Sequence, residues 1–232
     1  MSGVTTATEV FRHERKLVPA GYALPEVLAL IHQHPSVFHQ AYPPRWVNNL
    51  YLDTYGLNDY HDHVTGLAIR SKSRIRWYGD LQGSIPKPVF EQKVKRGTVN
   101  AKRSGALSPM TLNGGLDETK LRAMVGDSGT ATPLVHCLDC RHPSLINRYH
   151  RHYYVSGDGR VRLTVDSDLS FFEPENTAEA LASSPPEEYT VVIELKYTPN
   201  DSDNAADIAS WFPCRVVRCS KYVLGIEATR RA

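Results

Sequence analysis

The chain has 232 residues, of which 27 are Lys or Arg and 25 are Asp or Glu, for a formal net charge of +2. That length suits one domain with a substantial core, and a 41% apolar, 22% charged composition is that of a globular protein. So small a net charge excludes a generally basic nucleic-acid binder, so any anion site must come from local segregation of charge.

No apolar run approaches a membrane span, and residues 1–9 lack the basic start and apolar stretch of a secretion signal. A cytoplasmic protein with no direct membrane insertion is expected, with residues 1–9 disordered and 10–232 forming one domain. Phe11–Pro19 reads as the first strand: Phe11, His13, Arg15 and Leu17 face one way, Arg12, Glu14 and Lys16 the other. Pro25 opens a short helix to about Gln33, with Val27, Leu28 and Ile31 at helical spacing. Pro35, Pro43 and Pro44 break the chain beyond that helix, Val47–Thr54 is the second strand, and Gly56–Asp62 is turn-like.

The third strand is the most informative stretch. Arg70, Lys72, Arg74 and Arg76 point one way, while Leu67, Ile69, Ile75 and Trp77 point the other. A Gly- and Pro-rich connection over 80–88 leads to a fourth strand with Glu91, Lys93 and Lys95 on one face and Phe90 and Val94 on the other. Lys102 and Arg103 fall in a loop, and Leu116–Val125 is a helix with Asp117 as N-cap and Gly126 as its stop. Cys137 and Cys140 form a C-x-x-C flanked by His136 and His142, so structural zinc is conceivable; Cys214 and Cys219 lack close spacing, and reduced, incidental thiols are preferred.

Asn147–Ser156 and Arg160–Leu169 read as a hairpin around Gly157-Asp158-Gly159. Tyr149, Arg151 and Tyr153 share a face of the first arm; Arg160, Arg162, Thr164 and Asp166 oppose Val161, Leu163 and Val165 on the second. Residues 173–186 are a polar excursion. Tyr189–Tyr197 sets Val191, Ile193 and Leu195 against Glu194 and Lys196. Ala205–Trp211 is a helix stopped by Pro213, Arg215–Cys219 a last strand, and Ser220–Thr229 a terminal helix.

Most of the eight strand candidates carry charge on one face, and most connections are hairpin-like, so an antiparallel sheet is expected. If it closes into a barrel, the apolar faces pack outward on the helices and the charged faces line the lumen. Unpaired charges in a dry interior cost several kcal/mol each, whereas a wet tunnel filled by a polyanion removes the conflict. Arg and Lys suit phosphate oxygens, and isolated glutamates among them suit Mg²⁺ or Mn²⁺. No glycine-rich phosphate loop of the P-loop or kinase type is present. An open sheet with a solvated charged face is the competing arrangement.

Eight motifs occur in order: Arg12-x-Glu14-x-Lys16, Tyr51-Leu52-Asp53-Thr54, Arg74-Ile75-Arg76-Trp77-Tyr78-Gly79, Glu91-x-Lys93, Tyr149-x-Arg151, Val161-Arg162-Leu163-Thr164-Val165-Asp166, Ile193-Glu194-Leu195-Lys196 and Ser220-Lys221-Tyr222. As a set they resemble the catalytic domain of the vacuolar transporter chaperone (VTC) polyphosphate polymerases, of the triphosphate tunnel metalloenzyme (CYTH-like) superfamily. The resemblance runs from about Phe11 to Thr229. It implies an α+β fold, an eight-stranded antiparallel β-barrel with helices packed outside, and transfer of the ATP γ-phosphate onto a growing polyphosphate chain. By matching motif, Lys16, Arg74, Arg76, Lys93, Arg151, Arg162, Lys196 and Lys221 would hold phosphates in the catalytic set. Arg12, Arg70, Lys72, Lys95, Tyr149 and Ser220 would help to bind substrate; Glu194, with Glu14 as a second ligand or as a salt-bridge partner of Arg12 or Lys16, would hold Mn²⁺ or Mg²⁺.

Arg12 stands where hydrolases and cyclases of this superfamily resemble a first glutamate, which favours the polymerase branch. The alternatives are a tripolyphosphate or nucleoside triphosphate hydrolase and a non-catalytic polyphosphate-binding module. Nucleic acid is not an expected partner, since no stacking aromatics interleave the basic strand faces. Export of a product would need a separate membrane partner.

Overall fold

In the computed structural model, residues 13–96, 99–116, 118–126, 136–178 and 182–230 are described; the expectations for residues 1–9, Phe11, Arg12 and Asp117 lie outside them. Eight antiparallel strands form one sheet: β1 (His13–Leu17), β2 (His39–Asp53), β3 (Ile69–Tyr78), β5 (Val89–Arg96), β6 (Val99–Ala106), β8 (His142–Val155), β9 (Arg162–Phe172) and β10 (Val192–Tyr197). Their order is β1-β10-β9-β8-β2-β3-β5-β6, and β4 (Gly83–Ile85) pairs with β7 (Met110–Leu112) in a separate ribbon. The helices are α1 (Leu24–Gln33), α2 (Asn58–Thr65), α3 (Glu118–Gly126), α4 (Ser202–Trp211) and α5 (Lys221–Arg230).

The sheet curls strongly. Lys93 on β5 reaches Glu14 on β1 at 3.4 Å, although six places separate the two strands in the sheet order. Among the described residues no ladder joins β1 to β6, so the curl is bridged there by side chains rather than by a hydrogen-bonded seam.

Period-two alternation divides the apolar residues as the sequence implies. Leu163, Val165, Ile193 and Leu195 are fully buried on the outer face with Val27 and Ile31 of α1 and Ile208 and Ala209 of α4. Leu50, Leu52, Ile75, Trp77 and Phe90 form a second outer cluster under the β4–β7 ribbon and Leu121 of α3. The faces are therefore not inverted, and the charged sides of the strands turn inward.

Besides the terminal helix, four elements depart from the sequence expectations. The second strand begins at His39 and runs through Pro43 and Pro44, because the β2–β8 register shifts between Tyr42 and Arg45 and interrupts the ladder where proline has no N–H to donate. Lys102 and Arg103 lie on β6, not in a loop; its polar sequence carries no apolar alternation, and it forms by pairing with the free edge of β5. Residues 58–65 are helical because the Asp53 carboxylate accepts hydrogen bonds from the Asp59 and Tyr60 amides at 2.9 and 3.0 Å, satisfying orphan donors of the first turn from outside the helix. Arg215–Cys219 is no strand: one bridge joins Val216 to Leu17, and Val217 N–H donates to the Lys16 carbonyl at 2.8 Å.

The terminal helix sits on the other side of the sheet from the one expected. Instead of covering an outer face, α5 buries Tyr222, Leu224 and Ile226 against Val47, Tyr51, Leu145, Phe171 and Val192 on the inner face. Tyr222 stacks on Tyr51 with ring centroids 4.8 Å apart, and its hydroxyl donates to Asp53. The helix is thus a wedge closing one end of the lumen, and Asp53 anchors both it and α2.

Gly225 marks the tightest approach of that wedge: a Cβ there would fall inside van der Waals contact of Leu145 and Phe171. Glycine to alanine inside a helix ordinarily stabilises by about 1 kcal/mol. Here the Gly225→Ala variant should instead lose roughly 1–3 kcal/mol through overpacking, read as a lower urea midpoint at unchanged slope. A raised midpoint would show that α5 does not pack this closely.

Candidate functional site

Opposite residues of an antiparallel pair share a face, so the register carries the charges to one place. Lys16 faces Glu194, Glu194 faces Thr164, Arg151 faces Asp166, and Arg74 faces both Tyr51 and Glu91. Among the described residues, nine inward cations meet four carboxylates, and each carboxylate is held by cations.

Glu91 accepts from Arg74 at 2.6 and 2.8 Å on one oxygen and from Lys102 at 2.7 Å on the other, with Arg76 at 3.7 Å. Burial alone would raise its pKa; the three cations hold it well below the ordinary carboxylate range. Asp166 is fully buried, bidentate to Arg151 at 2.5 and 2.7 Å and 2.6 Å from Lys221, and against the effect of burial these partners bring it down to about 2. Glu194 lies 2.6 Å from Lys196 and 3.7 Å from Lys16, and despite burial stays ionised well below its usual range. Tyr149 carries Lys221 and Arg151 over its ring at 4.9 and 5.1 Å, and its hydroxyl accepts from Arg76 at 3.4 Å.

Lys72 differs from the others. Its ammonium donates to Ser220 Oγ at 2.7 Å, and no carboxylate pairs with it among the described residues. Burial, then Lys16, Arg74, Lys93 and Arg70, push its pKa well below the usual lysine value. Two buried neutral groups on the same inner face also lack partners: the Asn147 Nδ2 amide and the Thr164 hydroxyl. Buried polar groups are normally satisfied, and an under-compensated cation with idle donors on the same face has the chemistry to receive an anion rich in oxygen.

The structure brings together Lys16, Lys72, Arg74, Arg76, Lys93, Arg151, Lys196, Lys221, Tyr149, Ser220, Glu14 and Glu194. It does not bring in the others as directly. Arg70 donates to the Leu67 carbonyl at 2.7 Å, next to its own strand. Arg162 is exposed at the strand end opposite Lys196, and the Lys95 side chain has no hydrogen bond or ion pair among the described residues. Arg12 lies outside the described residues. Glu91, Asp166, Lys102, Asn49 and Asn147 complete the interior. The parity of Glu91 with Lys93 and of Asp166 with Arg162 is the available sequence signal; for Lys102 there is none, because β6 has no readable alternation.

Among the described residues no three His, Cys, Asp or Glu side chains gather as a metal cage. Cys137 packs into the outer core and Cys140 is exposed, while His136 pairs with Asp139 at 3.6 Å. Glu14 turns to Lys93 rather than toward Glu194. One ionised, inward Glu194 facing an unpartnered Thr164 hydroxyl is a sparse, all-oxygen donor set. It suits a hard cation such as Mg²⁺ that takes one or two carboxylates and fills its remaining positions with water and substrate phosphate.

A family model described as the VTC domain matches residues 11–230. A search of curated proteins finds no significant match. Among solved structures, a provisionally assigned adenylate cyclase from Bacillus halodurans is 14% identical, with a TM-score of 0.53 over 89% of this chain and 92% of that one. Another from Vibrio parahaemolyticus is 11% identical, with a TM-score of 0.50 over 94% and 99%. A Hippeastrum protein of the same provisional assignment, described as having a dominant triphosphatase activity, is 14% identical with a TM-score of 0.49 over 95% and 94%. At such identities the likeness to the first two carries the fold alone: the triphosphate tunnel fold, with its large antiparallel sheet and helices.

An anion seated beside Lys72 would raise its depressed pKa, so binding should take up protons. Affinity for inorganic tripolyphosphate should therefore fall as pH rises from the lowered pKa toward the ordinary lysine value of 10.5. Calorimetric titrations in buffers of different ionisation enthalpy should show that uptake, and Lys72→Met should abolish it. A wild-type heat independent of buffer would place the anion elsewhere.

Proposed function

The chain belongs to the VTC domain family, and from that premise we propose that it transfers the γ-phosphoryl group of ATP onto the end of an inorganic polyphosphate chain. The observation that carries this reading is Lys72, enclosed among Lys16, Arg74 and Lys93 with no carboxylate of its own among the described residues, on the same inner face as the idle donors of Asn147 and Thr164. An interior arranged in that way is stabilised by phosphate.

Phosphoryl transfer asks the protein for in-line alignment and for neutralisation of charge on the phosphate oxygens, with little covalent chemistry. Arg74 and Arg76 present guanidinium forks on one wall, steadied by Glu91 and Asn49, the latter accepting from Arg76 at 2.8 Å. Arg151 on β8 and Lys221 on α5 are fixed by Asp166, Lys72 continues the Arg74 and Arg76 face of β3, and Lys93 and Lys16 stand on β5 and β1. Because carboxylate partners hold Lys16, Arg74, Lys93, Arg151 and Lys221 before substrate arrives, little reorganisation is needed at the moment of transfer. Glu194 would hold Mn²⁺ or Mg²⁺ together with phosphate oxygens, and the ion, when bound, supplies further charge neutralisation there. Ser220, the serine of this cluster, accepts from Lys72, and on this reading it takes a positioning role, with transfer direct between two phosphates.

The α5 wedge favours a second reading. With one end of the lumen filled by Tyr222, Leu224 and Ile226, a long product has to leave by the open mouth or through the unladdered gap between β1 and β6. A tunnel closed at one end also suits short substrates and water as acceptor, that is, a tripolyphosphate or nucleoside triphosphate hydrolase.

Purified protein incubated with ATP and Mn²⁺ separates the two when chain length is read on a gel and free phosphate is assayed in parallel. Long chains are expected, with turnover lowered about 10²–10³-fold in Arg74→Ala and the metal requirement lost or blunted in Glu194→Gln. Free phosphate without chains would establish the hydrolase. Tight polyphosphate binding without turnover would leave a binding module.

A further inference from the structure

The end of the lumen away from α5 carries an aromatic and guanidinium shelf that the phosphate site does not use. Tyr149, Arg151 and Tyr153 follow one another on the inner face of β8, leading from the cationic centre toward the rim. Tyr42 stands opposite Tyr153 and Arg45 opposite Arg151, while Tyr78 continues the Arg74, Arg76 face of β3 and stands opposite Val47. The Arg45 guanidinium lies 3.9 Å from the centre of the Tyr78 ring and 5.1 Å from that of Tyr153, and its Nε donates to the Tyr153 hydroxyl at 3.0 Å. Tyr42 meets Tyr153 edge to face, with centroids 5.9 Å apart and planes at 88°.

This cluster is built, yet it is left open. Tyr42 is 63% exposed and Tyr78 41%, large apolar faces shown to solvent at the mouth of a cationic tunnel. The register shifts in β2 on either side of Tyr42 bring Tyr42 and Arg45 into place, a use of bulges common beside binding sites. Strands advance about 3.3 Å per residue, so Tyr78 lies about 7 Å beyond Arg76 and about 13 Å beyond Arg74 along β3, the order of length separating a terminal phosphate from a nucleobase.

We propose that Tyr78, Arg45 and Tyr153, with Tyr42 at the rim, form a stacking subsite for the base of a nucleoside triphosphate whose phosphates enter the lumen. The inference rests on the phosphate-binding reading above and adds what distinguishes a nucleotide from bare polyphosphate. Aromatic rings and a guanidinium plane accept any base by its face, with larger rings gaining more, and cost little ordering because Arg45 is already pinned. A purine nucleotide is therefore preferred over a pyrimidine one through contact area rather than through hydrogen bonds to base edges.

The test compares ATP with inorganic tripolyphosphate, which keeps the phosphates and lacks the nucleoside, both with Mg²⁺ at fixed salt. Wild-type protein should bind both, and Tyr78→Ala should weaken ATP by about 5- to 150-fold, the range for losing one base-stacking partner, while leaving tripolyphosphate within about twofold. Tyr78→Trp should retain or improve ATP binding. Equal weakening of both ligands in Tyr78→Ala, or ATP binding unchanged by it, overturns the subsite and leaves the phosphate site standing. Wild-type protein that binds neither ligand overturns the subsite and the phosphate-binding reading together.

Discussion

Like charges held in one interior repel, and this fold is arranged around that repulsion. At an effective dielectric of about 20, two lysines about 4 Å apart cost about 4 kcal/mol, so the inward cations cannot share a curled sheet without compensation. Four carboxylates supply part of it, each bonded to more than one cation or set between strands: Glu91 joins β3, β5 and β6, Asp166 joins β8, β9 and α5, Glu194 joins β1 and β10, and Glu14 reaches across to β5. The carboxylates are thus the ties that hold the strands in curvature, and the cations are held in geometry by them. What they leave uncompensated is concentrated at Lys72, and this shortfall is what an anion would fill.

The same requirement explains why the polar interior stops short of one end. Toward the α5 end the inner face changes from charged to apolar, through Val47, Tyr51, Leu145, Phe171 and Val192, and the helix covers those side chains. Lys221, at the first turn of α5, sits where the two regimes meet: its aliphatic neighbours are in the apolar plug while its ammonium reaches Asp166 at 2.6 Å. Asp53 completes the arrangement from the rim of that plug, taking the Tyr222 hydroxyl and the amides that start α2. A helix expected on the outside therefore becomes both a plug and a carrier of one inward cation.

Period two makes the faces of β3, β5, β9 and β10 legible, since charge and apolar character alternate there without interruption. The inward positions of Arg74, Lys93, Asp166 and Glu194 come from that alternation together with the outer helices. Legibility fails where tertiary context decides. In β2, Pro43 and Pro44 act as breakers only if the ladder must be continuous, and the shift of register beside them removes that condition. β6 owes its existence to the free edge of β5, which nothing in Val99–Ala106 announces. α2 is capped by Asp53, before its own first turn, and has no apolar stripe strong enough to mark it. The side chosen by α5 is hidden for a related reason: Tyr222, Leu224 and Ile226 give it apolar surface, but spacing along one helix cannot say which face of a sheet it will meet.

The two ends of the lumen then differ in chemistry. At the plugged end Tyr222, Leu224 and Ile226 cover an apolar surface, which offers an anion nothing to replace its solvation. The open end offers cations that continue outward, with Arg45 among Tyr42, Tyr78 and Tyr153, and an exposed Arg162 opposite Lys196 across the β9–β10 pair. A polyanion in this tunnel is drawn toward the middle from one side only. The gap between β1 and β6 is a second opening in the hydrogen-bonded wall, and Lys93 and Glu14 form the only ion pair across it among the described residues. That pair is half-exposed and so contributes little by itself. An anion competing with Glu14 for Lys93 would break that tie at small cost, since no ladder joins β1 to β6 among the described residues.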